Sequence, residues 1–133
     1  VGLTTKTTRI GLFPSALVNR VLGLETEPRE VVLSGRADQH VREKHPEDHD
    51  LIRPMLQDII EQPLYVGQAP RDTKGNIVFV SRLSSPIGVG LVVVKVVPDK
   101  NGHYRIASFY RIKESDVENR RAKGYLRLAP PDL

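Results

Sequence analysis

The stretch GVGLVVVKVVPDKNGHYRIASFYRIK, residues 88–113, decides the fold class. Two runs rich in β-branched and aromatic residues, 89–97 and 103–112, flank the turn-forming residues 99–102. This pattern predicts two antiparallel strands joined by a hairpin. The first run is about half as long as a membrane-spanning helix needs to be, so we expect no membrane span.

Upstream of the hairpin, residues 64–67 and 77–82 have the same strand-like composition, and turn residues at 72–76 separate them. Together with the hairpin they predict an antiparallel meander. Before the meander the apolar residues recur at helical spacing instead. Residues 50–62 carry such a stripe and predict one amphipathic helix, with Pro54 tolerated in its first turn.

Shorter elements complete the predicted fold, which is α+β with N-terminal helices packed on one face of a C-terminal antiparallel β-meander. The additional helices are predicted over 15–22, 36–44 and 115–123, and the additional short strands over 31–33 and 125–128. The domain organisation follows from these elements. We expect an N-terminal extension at 1–28, a domain at 29–128 and a tail at 129–133.

Length and composition fit one soluble domain with a modest preference for anionic partners. The chain has 133 residues, with 20 Lys and Arg against 16 Asp and Glu, and therefore a formal net charge of +4. It contains no cysteine. Disulfides, cysteine–zinc sites, iron–sulfur clusters and thiol nucleophiles are therefore excluded.

Three of the four histidines cluster in QHVREKHPEDH, residues 39–49. Such side chains can carry protons near neutral pH, which makes His40 and His45 candidate catalytic residues, with exposed polar residues as the alternative. We expect His49 to be an exposed polar residue at a helix break. A zinc site would need His45 and His49 with Glu47 or Asp48, but the spacing does not match a helical H-E-x-x-H motif, and we expect no metal.

The last long strand offers hydroxyl groups that could bind a phosphate. Strict alternation would place Tyr104, Ile106, Ser108, Tyr110 and Ile112 on one face of the sheet. Two of them, Ser108 and Tyr110, could then donate hydrogen bonds to the same anion. The alternative is a core tyrosine with a satisfied hydroxyl.

Basic residues accompany these candidates. On a helix, Arg36 and Lys44 lie four residues to either side of His40 and share its face. Lys95 interrupts a valine-rich strand, so it either emerges on an open face or has a partner. The C-terminal region is also basic, although a solvated helix face is the more frequent explanation for such mixed charge.

The order of these features resembles a known family. A strand leads to a histidine-bearing helix, an amphipathic helix ends in proline, and a meander ends in Ser-x-Tyr. The segments VVLSGRADQHVREKH (31–45), DIIEQPLYV (58–66) and IASFYRIK (106–113) resemble the phage and polymorphic-toxin branch of the barnase–EndoU–colicin–RelE superfamily of metal-independent ribonucleases. The resemblance covers about residues 30–126, and Ser108 stands where the family often has threonine.

The resemblance implies a barnase- or RelE-like fold that cleaves RNA, with tRNA among the expected substrates and no cofactor. The 2′-hydroxyl would attack the phosphate and leave a 2′,3′-cyclic phosphate. His40 and His45 would carry the protons, and Ser108 and Tyr110 would hydrogen-bond the phosphate. The candidate phosphate- and RNA-binding cations are Arg36, Lys44, Lys95, Arg111 and Lys113.

The same resemblance implies a secreted or delivered effector domain that acts in the cytoplasm of a target cell. It would be the C-terminal part of a longer protein, and an acidic immunity protein would neutralise it. The main alternative is a non-catalytic basic α+β adaptor. A metal-dependent hydrolase using His45 and His49 ranks below it, and ADP-ribosyl transfer ranks low because no nicotinamide-binding triad is visible.

Overall fold

A mixed seven-stranded sheet organises the computed structural model, which describes residues 6–68, 75–84 and 88–129. The strands are β1 (Thr8–Leu12), β2 (Glu30–Leu33), β3 (Tyr65–Gln68), β4 (Asn76–Arg82), β5 (Val89–Lys95), β6 (Tyr104–Ile112) and β7 (Leu126–Leu128). The helices are α1 (Ser15–Leu22), α2 (Gly35–Lys44), α3 (Pro46–Ile52), α4 (Leu56–Glu61) and α5 (Glu114–Ala122), with a 3₁₀ turn at Arg53–Met55. No helix in these described ranges is long and apolar enough to cross a membrane.

The strand order is β1-β2-β6-β5-β4-β3-β7, and β3 to β6 form the predicted antiparallel meander. The α+β class is therefore confirmed. The N-terminal strands belong to the same sheet, because β1 pairs with β2 and β2 runs parallel to β6. Residues 8–22, which the sequence placed in an extension, thus contribute β1 and α1 to the domain. Part of the turn predicted at 72–76 lies outside the described residues.

Both faces of the sheet are covered. Helices α1 to α4 each bury side chains in one cluster, which is built on the strand residues Phe79, Val92 and Phe109. Helix α5 inserts Val117 into a second cluster that contains Leu91. Strand β5 buries side chains on both of its faces and contributes to both clusters. Its sequence is therefore an almost continuous run of valines rather than an alternation of apolar and polar residues.

The helix predicted over 50–62 is wrong as a single element. The chain forms α3, then the 3₁₀ turn, then α4. Pro54 lies inside the turn, because its ring carries no N–H and clashes with the carbonyl four residues earlier in a continuous helix. The apolar stripe survives the break, since Ile52 and Leu56 are both buried in the same cluster.

A β-bulge in β6 overturns the predicted single face of that strand. Val93 pairs with Ser108, but Val94 pairs with Ile106, so Ala107 is an extra residue. Tyr104 and Ile106 consequently pack in the cluster beneath α1 to α4, whereas Tyr110 and Ile112 pack against the opposite cluster. The five residues from Tyr104 to Ile112 therefore do not share a face.

The predicted turn between β5 and β6 is confirmed. The main-chain N–H of Gly102 donates to the carbonyl of Asp99 at 2.9 Å, and Gly102 has a left-handed φ of 80°. The Asp99 carboxylate accepts main-chain N–H groups from His103 at 2.9 Å and Asn101 at 2.8 Å. These hydrogen bonds, that of His103 first, lower the pKa of Asp99. The turn thus fixes the register of the two strands.

The pairing of β3 with β7 leaves no room for a side chain at Gly67. A Cβ added there would lie 1.7 Å from the main-chain oxygen of Tyr125. We expect Gly67→Ala to lower the free energy of unfolding by about 1–3 kcal/mol or more, because backbone has to move. Urea denaturation would measure the loss.

Gly90→Ala is the matched control, because its Cβ would meet only side-chain ends of Ile59 and Leu83 at 3.3 Å. Equal urea midpoints for the two variants would contradict the account of a backbone clash at Gly67.

Candidate active site

A basic cleft opens where the end of β2, the first turn of α2 and the bulged part of β6 meet. Its volume is about 290 Å³. Strand β5, which pairs with β6 on the side away from β2, contributes Lys95. The lining residues are Ser34, Arg36, Ala37, His40, Lys95, Arg105, Ile106 and Ala107. None of these described lining residues is acidic.

Two of the cations in the cleft face each other directly. Lys95 and Arg105 are cross-strand partners in the β5–β6 ladder. Like charges at such positions repel each other, and an anion between or above these two exposed groups would relieve the repulsion. Within the part of the chain that the structure describes, Lys95 has no ion pair or hydrogen bond with an acidic group. The charges therefore favour an anionic ligand.

The first turn of α2 forms one side of the cleft. Ser34 caps the helix, and its Oγ accepts the N–H of Ala37 at 3.1 Å. Arg36 and His40, four residues apart, both line the cleft from this helix. A phosphate in the cleft would thus meet two arginines, a lysine and an imidazole.

The second predicted histidine lies elsewhere. His45 is exposed between α2 and α3, and its ring centroid is 5.5 Å from that of Tyr110 with the planes tilted by 32°. The structure thus places His45, a predicted proton carrier, against the ring of Tyr110, a predicted hydroxyl donor. Ser108 is half-buried in β6, and neither Ser108 nor Lys44 lines the cleft that holds His40.

The third histidine is not exposed, and that prediction was wrong. His49 is only 3% exposed. Its Nε2 lies 2.5 Å from Oδ1 of Asp38, and Nε of Arg53 lies 3.5 Å from the same oxygen. Its ring also packs on Phe109, with 5.7 Å between centroids. His49 is therefore buried, and its contact with Asp38 links α3 to α2.

Arg111 and Lys113, the two candidate cations at the end of β6, form hydrogen bonds with nearby acidic residues. Nε of Arg111 donates to Asp48 at 2.5 Å, its main-chain N–H donates to the same carboxylate at 3.1 Å, and Nη2 lies 3.4 Å from Glu47. The hydrogen bond to Asp48, with the nearby negative charges, raises the pKa of Arg111. Lys113 is the N-cap residue of α5, and its N–H donates to Asp116 at 3.3 Å.

The residues weighed as zinc ligands do not form a common site, because Asp48 binds Arg111 and His49 binds Asp38. Nowhere in ranges 6–68, 75–84 and 88–129 do three or more histidine or carboxylate side chains come together in a way that could hold a metal ion.

Comparison with known protein families identifies the chain. A family model described as phage-Barnase-EndoU-ColicinE5/D-RelE like nuclease 3 (PBECR3) matches residues 8–119. The chain belongs to this nuclease family. The match includes β1 and α1 together with the whole cleft. Neither the curated proteins nor the solved structures contain a significant match.

One residue of the PBECR3 cleft was missing from the sequence-based site. Arg105 is not among the cations predicted from the sequence. The hairpin could have revealed it, since the predicted register places Arg105 close to Lys95 across the Asp99–Gly102 turn. The bulge at Ala107 concealed the role of Arg105, because it shifts the alternation of side chains along β6. A sequence pattern of period two does not reveal such a shift.

The contact between Asp38 and His49 should stabilise the helical layer beside the cleft. We expect Asp38→Ala to lower the free energy of unfolding by about 1–3 kcal/mol, because it leaves a buried imidazole nitrogen without its partner. Chemical denaturation would measure the difference.

Glu43→Ala is the control on the same helix, because its exposed carboxylate accepts only a hydrogen bond from Gln39. A midpoint for Asp38→Ala equal to that of Glu43→Ala would show that the buried contact contributes nothing.

Proposed function

We propose that this nuclease is a metal-independent endoribonuclease that acts as a toxin effector domain. The observation that carries the proposal is the cleft itself, which Arg36, Lys95 and Arg105 line together with His40 and with no carboxylate among its described lining residues. That arrangement suits a phosphodiester whose charge increases as the reaction proceeds. The family match supports a nucleic-acid substrate.

In the proposed reaction, the 2′-oxygen of the RNA attacks the adjacent phosphorus and the bond from phosphorus to the 5′-oxygen breaks. The proton on the 2′-oxygen passes to a base, and the departing 5′-oxygen receives a proton from an acid. The products are a 2′,3′-cyclic phosphate and a 5′-hydroxyl. Arg36, Lys95 and Arg105 hold the non-bridging oxygens as negative charge develops on them.

His40 performs one of the two proton transfers in this proposal, because it is the only lining residue with an imidazole. His45 remains a predicted second carrier. Ser108 and Tyr110 remain predicted hydrogen-bond donors to the phosphate, and Lys44, Arg111 and Lys113 remain predicted contacts for the RNA backbone. RNA bound across the cleft would extend toward these residues.

The toxin role rests on the resemblance to phage and polymorphic-toxin nucleases. A delivered domain of this kind would act on RNA, with tRNA a natural substrate, in the cytoplasm of the target cell. Its producer would need protection from it. An immunity protein with an acidic face would complement the cations of the cleft and cover it.

A non-catalytic adaptor is the second candidate. One observation favours it, namely that Ser108, Tyr110 and His45 are not among the residues that line the cleft around His40. In an adaptor, the cleft and the exposed ring of His45 would form a docking surface for an anionic partner.

Removal of the imidazole from the cleft should abolish most of the activity. We expect His40→Ala to cleave tRNA about 10²–10⁴-fold more slowly than the wild-type chain, the usual contribution of a general acid or base. The assay is single-turnover cleavage in excess EDTA, with chemical identification of the cyclic phosphate end.

His103→Ala is the matched control, because this histidine lies in the turn before β6 and outside the cleft. Full activity of both variants would refute the role of His40. No product from the intact chain would favour the adaptor.

Toxicity should follow the same side chain. We expect induced expression of the wild-type chain in bacterial cytoplasm to arrest growth, and His40→Ala to relieve the arrest. Colony counts and RNA integrity after induction would measure this. Harmless expression of an RNA-cleaving wild-type chain would reject the toxin role while leaving the nuclease intact.

A further inference from the structure

The ring pair of His45 and Tyr110 does not line the cleft that holds His40. It sits at an open edge of the sheet, because β2 pairs with β6 only at Tyr104 and Arg105. Beyond these residues no strand in the described ranges continues the sheet on that side. The exposed imidazole therefore extends the flat surface of the tyrosine toward solvent.

A neighbouring pair shows what a purely structural histidine looks like in this fold. His49 packs on Phe109 with nearly the same tilt, 33°, but it is buried and its Nε2 is bonded to Asp38. In contrast, no hydrogen bond joins a ring nitrogen of His45 to any other residue that the structure describes. The ring of His45 is thus exposed against that of Tyr110 and has no hydrogen-bonded role within the described fold.

The backbone that carries the two rings is held by hydrogen bonds. The main-chain N–H of His45 donates to Val41 at 2.7 Å, and its carbonyl accepts from His49 at 2.8 Å. Next to Tyr110, Asp48 binds the main chain and the guanidinium of Arg111. An ordered backbone reduces the conformational entropy that is lost when the rings bind a flat ligand.

The pair is also at a useful distance from the cleft. His45 is the residue directly after α2, five residues beyond His40, which corresponds to about 7.5 Å along a helix axis. A strand whose phosphate lies beside His40 and that runs toward the C-terminal end of α2 would bring a nearby base to His45.

We infer that the His45–Tyr110 pair is a stacking platform for a nucleobase next to the phosphate held in the cleft. This assignment deepens the proposed function and rests on it. Its substrate is single-stranded or loop RNA, because a base can reach the platform only after it has left its helical stack. The ring of His45 then acts through its flat face.

The test measures binding without cleavage, using hairpin RNA that carries 2′-O-methyl groups and cannot undergo attack. We expect His45→Ala and Tyr110→Ala to weaken binding of the hairpin by roughly 5- to 150-fold, the usual worth of one stacked base. His45→Phe should restore the binding that His45→Ala loses. Binding of the same sequence as a blunt duplex should not change in any of these variants.

Fluorescence anisotropy supplies the affinities, and His103→Ala is the control for loss of a histidine elsewhere. Hairpin binding by His45→Ala at the wild-type level would overturn the platform, as would failure of His45→Phe to restore it. Cleavage of unmodified hairpin at saturating RNA provides a further criterion. If His45→Phe binds well but cleaves as poorly as His45→Ala, the platform is supported and the imidazole also carries a proton.

These results are separable from those for the proposed function. A wild-type chain that binds hairpins through the platform but cuts no RNA would reject the nuclease reaction and retain the platform. A chain that cuts RNA with no dependence of binding on either ring would do the reverse.

Discussion

Two like charges set opposite each other, Lys95 on β5 and Arg105 on β6, are the constraint on which the site depends. The hairpin fixes them in register through the Asp99 turn, so the repulsion cannot be relieved by a shift of one strand. Helix α2 then brings Arg36 and His40 to the same place. The fold accepts an unfavourable field at one point on its surface, and an anion is the ligand that would remove it.

The helical layer depends on two carboxylates that bind across elements. Asp38 holds His49, which links α2 to α3, and Asp48 holds the main chain of Arg111, which links α3 to the open edge of β6. The second contact resembles the hydrogen bond that another strand would have provided. Together they explain why His40 and His45, on a short helix and a helix break, nevertheless have defined positions.

The sequence predicted the elements better than their arrangement. The hairpin, the meander and α1 follow from local composition, and the structure agrees with them. The parallel pairing of β2 with β6 is a contact between distant segments, which no local pattern reveals. The burial of His49 was missed for a similar reason, because its partner Asp38 lies on another helix eleven residues away. Of the residues that line the cleft, His40, Arg36 and Lys95 are candidates predicted from the sequence, while the bulge at Ala107 hid Arg105 and separated Ile106 from Ser108.

The parallel pairing has a consequence for how the site comes into being. Val31 lies beside Tyr104, so one wall of the cleft comes from the first third of the chain and the other from its last third. A long loop must close before these walls meet, which places the step late in folding. A nascent or truncated chain that lacks β6 consequently has neither the cleft nor its cluster of positive charges. The basic surface exists only once the chain has been made through β6 and has folded.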